Sequence, residues 1–327
     1  MTKQDIKDIK HLLSAKKKIV IVPHKNPDGD AVGSGLALYN FLKNLGKSAQ
    51  LIIPNNAPDF LSWMHAFNTI IFYESDEELA LREITSADLF LCVDFNSLSR
   101  ISAFQKNFTE LKTTKILIDH HPQPEDFATV KFSDTTYSST AEMVYYLLKQ
   151  ISGNAIDKYV AQCLYAGIVT DTGSFSYNSS NPDTFKTIAE LLDFPIEKDK
   201  IHNFIYNSYS YNRMRLLGFA LKKMVLIEDA HCAYIALSKK ELEEHHYQTG
   251  DTEGFVNYPL SIDNVFVSAL FLEMNNKIKI SFRSRGSFAI NEISQAHFNG
   301  GGHRNAAGGE SLKSMEETIA LFEKIIK

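Results

Sequence analysis

The stretch Asp119-His120-His121 places one carboxyl group and two imidazoles directly after the apolar run 116–118, and Pro122 follows it closely. The β-branched apolar run predicts a buried strand, and the proline prevents its continuation. On an extended chain Asp119 and His121 would face one way and His120 the other. Three titratable side chains at the end of a core strand are costly to bury unpaired, so the stretch indicates a site. For the tripeptide alone, a loop with two solvated histidines is the alternative.

Further acids and imidazoles stand at comparable places along the chain. Three follow the apolar run 19–22, one follows the run 88–93, and one belongs to an Asp-Thr-Gly tripeptide. These residues are His24, Asp28, Asp30, Asp94 and Asp171. Four carboxylates cannot lie beside two or three imidazoles without cations, because their mutual repulsion would be large. The residue types therefore predict a metal centre if the fold brings them together.

The ligand types also indicate which metals are suitable. Oxygen and imidazole ligands without a thiolate suit manganese, magnesium or iron better than a structural zinc. Two ions about 3.5–4 Å apart need a bridging carboxylate, and such a pair can clamp a phosphate and activate a water. Asp94, a single acid between two ligand groups, is the predicted bridge. A calcium loop would require glutamate where Tyr39 stands. An aspartic protease would require a second Asp-Thr-Gly or a symmetric dimer, and β structure before the motif where a helix is predicted, so both alternatives are disfavoured.

A sheet must position these side chains, and the hydrophobic pattern predicts one. Apolar runs predict strands at 19–22, 50–53, 69–73, 88–93 and 116–118. Helical patterns occupy 4–15, 35–45, 155–169, 184–193 and 197–206, and the proline- and glycine-containing segment 23–34 is predicted to be a tight loop. Alternating strands and helices are typical of a parallel sheet covered by helices. Ligands bind outside the carboxyl ends of such strands, where the polar residues lie here.

The C-terminal part of the chain carries a locally basic segment. Strands are predicted there at 224–227, 233–238, 265–272 and 278–282. Between Lys277 and Arg304 the basic residues outnumber the single acid, Glu292. Arg283, at a strand end, offers the forked donors that phosphate favours. The glycines 300–302 would let backbone N–H groups approach an anion, and a plain glycine turn is the alternative.

The composition is that of an ordinary globular protein, with 44% hydrophobic and 22% charged residues. A length of 327 residues favours about two domains. No apolar run approaches the ~18 residues that cross a bilayer, and the N-terminus lacks a signal-peptide pattern. Three scattered cysteines predict neither a disulfide framework nor a zinc cluster, so a cytoplasmic location is expected. The net charge of −5 argues against a protein that coats long nucleic acid.

In their order along the chain, these residues resemble the motifs of the DHH phosphoesterases. The matching residues are His24, Asp28, Asp30, Asp94, Asp119, His120, His121 and Asp171. The segments 281–284 and 300–308 resemble the DHH-associated domain of the same superfamily. Within the superfamily, the chain is most similar to the bifunctional oligoribonuclease and pAp phosphatase group, the nanoRNases. One departure is Asn299, because the family often has a fourth glycine at this place.

The resemblance implies a role for each matching position. His24, Asp28 and Asp94 would hold one divalent ion, and the second would be held by Asp30, Asp94, His120 and Asp171. Manganese is the expected ion and magnesium the alternative. Asp119 would fix an imidazole by a hydrogen bond, and His121 would act at the scissile phosphate as proton donor or electrostatic stabiliser. Substrate contacts are expected at Arg283, Ser284, Gly301, Gly302 and His303.

The resemblance also implies an α/β fold in which a mainly parallel, helix-covered sheet is followed by a smaller α/β domain. The expected divisions are a metal-binding catalytic domain at 1–195, a helical linker at 196–223 and a substrate-binding domain at 224–327. The active site is expected in the cleft between the two domains.

The implied activity is metal-dependent hydrolysis of short oligoribonucleotides to nucleoside 5′-monophosphates, with pAp phosphatase activity expected as well. The alternatives are a hydrolase of linear or cyclic dinucleotides, such as pApA or c-di-AMP, and a single-strand DNA exonuclease. An inorganic pyrophosphatase would lack the glycine–histidine block, and a non-catalytic relative should show broken ligands. Expected partners are short RNA, pAp or dinucleotides rather than a membrane, and the sequence leaves a homodimer open.

Overall fold

The computed structural model describes residues 3–15, 18–101 and 104–327. The chain divides into two compact units, Met1–Ser208 and Tyr209–Lys327. Each unit has its own sheet and its own hydrophobic core. The predicted α/β class, with a helix-covered parallel sheet followed by a second sheet domain, is therefore confirmed.

The first unit is built on a six-stranded sheet. Its strands are β1 (Lys18–Val22), β2 (Ser48–Ile53), β3 (Ile71–Phe72), β4 (Leu89–Val93), β5 (Thr114–Asp119) and β6 (Val130–Ser133). They lie in the order β3-β2-β1-β4-β5-β6, and every neighbouring pair is parallel. After β1 the chain forms β2 and β3 on one side of β1. It then crosses to the other side of β1, where it forms β4. This reversal opens a crevice between the carboxyl ends of β1 and β4, where parallel sheets bind ligands.

Both faces of this sheet are buried. In β1, Ile19 and Ile21 belong to one core, whereas Val20 and Val22 belong to the other. Burial on both faces explains why the strands have unbroken apolar runs instead of alternation. The helices of the unit are α1 (Lys3–Ala15), α2 (Gly29–Asn44), α3 (Glu77–Thr85), α4 (Gln105–Glu110), α5 (Thr140–Ser152), α6 (Lys158–Asp171), α7 (Pro182–Leu192) and α8 (Lys198–Tyr206).

Helix α2 begins six residues before the predicted helix start at residue 35, so half of the predicted loop 23–34 is helical. Asp28 caps the helix, because one of its carboxylate oxygens accepts the N–H groups of Asp30 and Ala31, each at 3.0 Å. Glycines at the start of α2 lower the intrinsic helix propensity and made the segment look like a loop. The cap and burial of the first turn outweigh that preference.

Helix α6 also extends further than the sequence indicates, since it ends at Asp171 and not at Val169. Asp171 is therefore the last residue of a helix. Gly167 lets this helix lie close to its neighbours, because a Cβ there would be 2.6 Å from the Ala141 side chain and 3.0 Å from an Asp30 oxygen. The close packing brings the acids of α2 and α6 to the same region.

The second unit contains a mixed six-stranded sheet. Its elements are α9 (Tyr211–Lys222), β7 (Val225–Ile227), β8 (Cys232–Leu237), α10 (Lys239–Glu244), β9 (Val267–Glu273), β10 (Ile278–Ser284), α11 (Ile290–His297), β11 (Gly301–His303), β12 (Ala306–Ser311) and α12 (Met315–Ile326). The strand order is β11-β12-β10-β9-β8-β7, and only the β8–β9 pair is parallel. Phe271, Phe282 and Phe322 form the centre of one core.

The predicted linker 196–223 is divided between the two units. Helix α8 packs into the first core through Ile201 and Ile205, whereas α9 contributes Leu216 and Leu217 to the second unit. The predicted division by function, with a catalytic domain at 1–195 and a substrate domain at 224–327, stays a prediction. So does the cleft location of the active site. Across the described ranges, no helix is both long and apolar enough to span a membrane.

Candidate metal centre

The predicted ligands meet at the carboxyl edge of the parallel sheet. Three adjacent strands, β1, β4 and β5, run toward this edge. His24 follows β1, Asp94 directly follows β4, and Asp119 ends β5. Helices α2 and α6 add Asp30 and Asp171 from above the sheet. Residues that are far apart in the chain therefore come together for a topological reason, because parallel strands end on the same side.

The first group of ligands consists of His24, Asp28 and Asp94. His24 Nε2 lies 3.4 Å from an oxygen of Asp94 and 3.9 Å from Asp28 Oδ2. The other ring nitrogen, Nδ1, donates to the Lys25 carbonyl at 2.7 Å, so the lone pair of the neutral ring lies on Nε2. Asp28 uses Oδ1 to cap α2 and keeps Oδ2 for this group. Each side chain thus presents one ligand atom to a common point.

The second group consists of Asp30, His120 and Asp171. His120 Nε2 lies 3.5 Å from Asp171 Oδ2 and 4.0 Å from Asp30 Oδ2. Asp30 and His120 are buried, whereas Asp171 is partly exposed. The ligand atoms within each group lie within 4.8 Å of one another. This spacing is suitable for a cation between them.

Asp94 lies between the two groups. Its Oδ2 faces His24 at 3.4 Å, and its Oδ1 faces His120 at 3.7 Å. The backbone of Asp94 has φ +64°, in the left-handed region, and its N–H donates to the Ile118 carbonyl at 3.1 Å. Non-glycine residues held in this region are often part of functional sites, and Asp tolerates it better than most. This two-sided position would let Asp94 bridge two ions, and the bridging role stays a prediction.

Both histidines of the Asp-His-His stretch turn toward Asp94. His121 Nδ1 lies 3.8 Å from the same oxygen that His120 approaches, so the predicted opposite orientation of the two rings is wrong. The strand ends at Asp119, and the alternation of side chains ends with it. His121 Nδ1 also donates to Asp119 Oδ1 at 2.7 Å. Asp119 therefore fixes an imidazole by a hydrogen bond, which is the contact that the family resemblance implies.

The pKa shifts follow from this crowding of acids in a buried place. Burial, followed by the charges of Asp94, Asp171 and Asp28, raises the pKa of Asp30 well above its ordinary value of 3.8. Burial alone would raise the pKa of Asp94, but the neighbouring imidazoles, His24 first, hold it well below its usual range. A buried site in which one carboxyl group resists ionisation because of its acidic neighbours is suited to binding cations.

The two imidazoles are shifted in opposite directions. Burial lowers the pKa of His120, which favours the neutral ring that a metal requires. Burial would also lower the pKa of His121, but the hydrogen bond to Asp119 and the charge of Asp94 raise it. Adjacent groups whose pKa values move apart are typical of divided roles in an active site.

The donor set fits divalent metal ions. It consists of carboxylate oxygens and imidazole nitrogens without a cysteine, which suits manganese or magnesium. The fully buried Asp119 Oδ2 lacks a hydrogen-bond partner among the described residues, and such an orphan is costly unless a further group completes the site. His24, Asp28 and Asp94 can hold one ion. Asp30, Asp94, His120 and Asp171 can hold the second.

The sequence did not reveal the contribution of helix α5. The backbone N–H groups of Thr140 and Ala141 donate to the two oxygens of Asp30, at 2.7 and 2.8 Å. The Thr140 hydroxyl donates to Asp94 Oδ1 at 2.9 Å. The start of this helix could have been predicted, because Ser139 is followed three residues later by Glu142, which is a helix-start pattern.

The second unit contains the residues that were predicted to contact substrate. Arg283 and Ser284 end strand β10, and Gly301 to His303 form strand β11. Arg283 Nη1 donates to the Phe282 carbonyl at 2.9 Å, and its buried Nε lacks a hydrogen-bond partner in the described part of the chain. The hydroxyl of Ser284 donates to the Phe288 carbonyl at 2.7 Å and accepts from Asn305. Substrate contacts by Arg283 and Ser284 both stay predictions.

The glycine block has both structural and open positions. Gly302 has φ +140°, and a Cβ there would lie 2.5 Å from the Ala306 carbonyl oxygen. A Cβ on Gly301 would meet no heavy atom within 4 Å. Asn299, which replaces the frequent fourth glycine, has φ +47°, a conformation that asparagine tolerates. Gly302 is therefore required by the backbone, whereas Gly301 leaves room for a ligand.

We expect Gly302→Ala to lower the free energy of unfolding of the protein by about 1–3 kcal/mol, because alanine would be strained at this φ. Gly301→Ala is the matched control in the same strand, and we expect it to change stability by less than about 1 kcal/mol. Urea unfolding of both variants measures the difference. Equal destabilisation by the two substitutions would show that Gly301 is also a structural glycine.

Two family models match the chain. Residues 18–168 match the DHH family, N-terminal domain, and residues 230–327 match the DHHA1 domain. The chain is 27% identical over 312 residues to the bifunctional oligoribonuclease and PAP phosphatase NrnA of Bacillus subtilis, covering 95% of this chain and 94% of that protein.

Solved structures give a corresponding result. An exopolyphosphatase-related protein from Bacteroides fragilis is 43% identical, with a TM-score of 0.95, over 100% of this chain and 97% of that chain. RecJ from Thermus thermophilus, in complex with Mn²⁺, has the same fold at 14% identity, with a TM-score of 0.61 over 100% of this chain and 54% of that one.

A centre of acids and imidazoles at a parallel-sheet edge, followed by a second sheet domain, defines a hydrolase that acts on phosphoester bonds. The chain belongs to the DHH family, and its second unit carries the DHHA1 domain.

Proposed function

We propose that this DHH phosphoesterase depends on two divalent metal ions, manganese first and magnesium second, and hydrolyses short oligoribonucleotides to nucleoside 5′-monophosphates. We include removal of a phosphate from pAp in the same proposal. The observation that carries it is the pair of ligand groups that share Asp94. The similarity to NrnA of Bacillus subtilis, over nearly the full length of both proteins, supports the substrate class.

The residues of the centre would divide the work. When bound, two divalent ions would neutralise charge on a phosphate and supply an activated water for in-line displacement. One ion would be held by His24 and Asp28. The other would be held by Asp30, His120 and Asp171. His121, which is held through Nδ1 by Asp119, would give a proton to the leaving oxygen.

The second domain would hold the nucleotide. The buried Nε of Arg283 has no hydrogen-bond partner among the described residues, and a charge-assisted bond to phosphate would satisfy it. The open face of Gly301 would let a phosphate or a base approach the backbone closely. Gly302 would fix the geometry of the strand, and His303 at its end is a further proposed substrate contact. Ser284 completes the proposed set. A pocket that accepts a terminal nucleotide would make long duplexes poor substrates.

A substrate panel tests the proposal. The purified protein with Mn²⁺ is incubated with labelled RNA of two to five nucleotides, pAp, pApA, c-di-AMP, pyrophosphate and single-stranded DNA. We expect turnover of the short RNA and of pAp, with nucleoside 5′-monophosphates released from the RNA. Little turnover of pyrophosphate or DNA is expected, because neither presents a short ribonucleotide terminus.

The control is the same panel with Asp94→Asn, which reports any contaminating nuclease. Turnover of pyrophosphate alone would contradict the nucleotide assignment. Preference for c-di-AMP or pApA, or processive degradation of single-stranded DNA, would replace the oligoribonuclease proposal with the corresponding alternative. We also propose a cytoplasmic location and leave a homodimer to be tested by light scattering.

A further inference from the structure

We propose that Thr140 is a positioning residue that fixes the rotation of the Asp94 carboxylate, so that each oxygen serves a different metal ion. This inference rests on the two-metal centre of the proposed function. It does not depend on which phosphoester is cleaved.

The Thr140 hydroxyl is bonded to one of the two oxygens of the Asp94 carboxylate. Thr140 Oγ1 donates to Asp94 Oδ1 at 2.9 Å, and Asp94 Oδ2 is left to face His24. Both residues are buried, with Thr140 0% and Asp94 2% exposed. A carboxylate that bridges two ions must keep its plane fixed, because rotation about its last bond would move both oxygens away from their groups. The hydroxyl is the neutral donor that prevents this rotation.

The same residue also connects the second ligand group to the helix. The N–H groups of Thr140 and Ala141 donate to Asp30, and the Thr140 hydroxyl donates to Asp94. The first turn of the thirteen-residue α5 therefore contacts an acid in each group. The N-terminus of a helix favours negative charge, and its free N–H groups find their acceptors here. Each Asp30 oxygen still has a lone pair for a metal ion, because a carboxylate has about four acceptor positions.

A buried acid holds the first turn of α5 in place. One oxygen of Glu142 accepts the Ser138 N–H at 2.9 Å, the Ser138 hydroxyl at 2.6 Å and the Thr184 hydroxyl at 3.0 Å. Ser139 caps the helix by accepting the Glu142 N–H at 3.1 Å. The turn is therefore tied to α7 as well as to the metal ligands. A rigid support of this kind makes Thr140 an effective anchor for Asp94.

The test is Mn²⁺ binding to Thr140→Val, measured by calorimetry without substrate. Valine keeps the shape of threonine and removes the hydroxyl. We expect the Kd for Mn²⁺ to rise about 10- to 100-fold, as is typical when a partner of a metal ligand is lost. We expect Thr140→Ser, which restores a hydroxyl, to stay within about threefold of the wild type. With two equivalents of Mn²⁺, the electron paramagnetic resonance spectrum of Thr140→Val should show uncoupled ions where the wild type shows a coupled pair.

A matched control is Thr318→Val in the second domain. Thr318 is also fully buried, and its hydroxyl makes a hydrogen bond of the same 2.9 Å length, but to Ser311 instead of an acid. This variant should bind Mn²⁺ like the wild type. Thr140→Ala removes the hydroxyl without adding volume, and it replaces the valine variant if thermal melting shows that the latter does not fold.

Wild-type Mn²⁺ affinity and a coupled spectrum in a folded Thr140→Val or Thr140→Ala variant would overturn the inference. Weak binding by Thr140→Ser as well would also overturn it, because the hydroxyl would then not be the relevant group. The proposed substrate can fail in the panel without affecting either result, since these measurements use the metal alone.

Discussion

Asp94→Asn is expected to lower kcat for the preferred phosphoester by about a thousandfold or more, while the protein keeps its fold. A loss of this size corresponds to about 4 kcal/mol of transition-state stabilisation. Asp94 is the side chain that faces both ligand groups, so its charge is lost to two metal ions at once. Asparagine has the same shape and can still accept the Thr140 hydrogen bond. The change therefore removes charge more than structure.

The measurement combines steady-state kinetics with a thermal melt. Asp76→Asn is the matched control, because Asp76 lies in the same domain and caps α3 by accepting the Leu79 N–H at 3.0 Å. Asparagine caps helices as well as aspartate does, so this variant should retain both stability and turnover. Turnover within a few fold of the wild type in Asp94→Asn would remove Asp94 as the bridging ligand.

The sheet of the first unit could be predicted well, because burial on both faces leaves an unbroken apolar run in each strand. The run before Asp94 is a fully buried strand, and the strand that ends at Asp119 is buried at every residue after Thr114. Once the strands are parallel, their carboxyl ends must share an edge, and the convergence of ligands follows from topology alone. Strand β6 was missed, because its short sequence Val130–Ser133 mixes polar and apolar residues and lies at the edge of the sheet.

The support around the ligands could not be predicted from the sequence. The backbone bond from Thr140 to Asp30 joins residues 110 positions apart, and the hydroxyl bond from Thr140 to Asp94 joins residues 46 positions apart. No periodicity reports which acid a helix N-terminus will face. The early start of α2 was also missed, because its glycines resemble a loop until the cap at Asp28 and the packing against α6 are known. Residue types thus indicated the chemistry, and tertiary packing determined its geometry.

Removal of divalent ions by a chelator is expected to abolish turnover, by about a thousandfold or more, and addition of Mn²⁺ should restore it. The reason is electrostatic: four carboxylates meet here, and burial together with the neighbouring acids already raises the pKa of Asp30. Without cations the cluster repels a phosphate, whereas with two ions it attracts one. The ions should also stabilise the folded protein, by about 2.7 kcal/mol at a free concentration one hundred times their Kd.

Kinetics and thermal melts before and after chelation, with residual metal determined by mass spectrometry, measure both effects. A cooperative melt of the chelated protein would show that lost turnover reflects lost ions and not unfolding. Asp94→Asn is the control for the restoring step, because added Mn²⁺ should not return its turnover. Full turnover by a demonstrably metal-free protein would contradict the metal centre itself. The ligand atoms of each group lie within 4.8 Å of one another. In a metal-free active protein, protons instead of metal ions would have to relieve the repulsion among the acids.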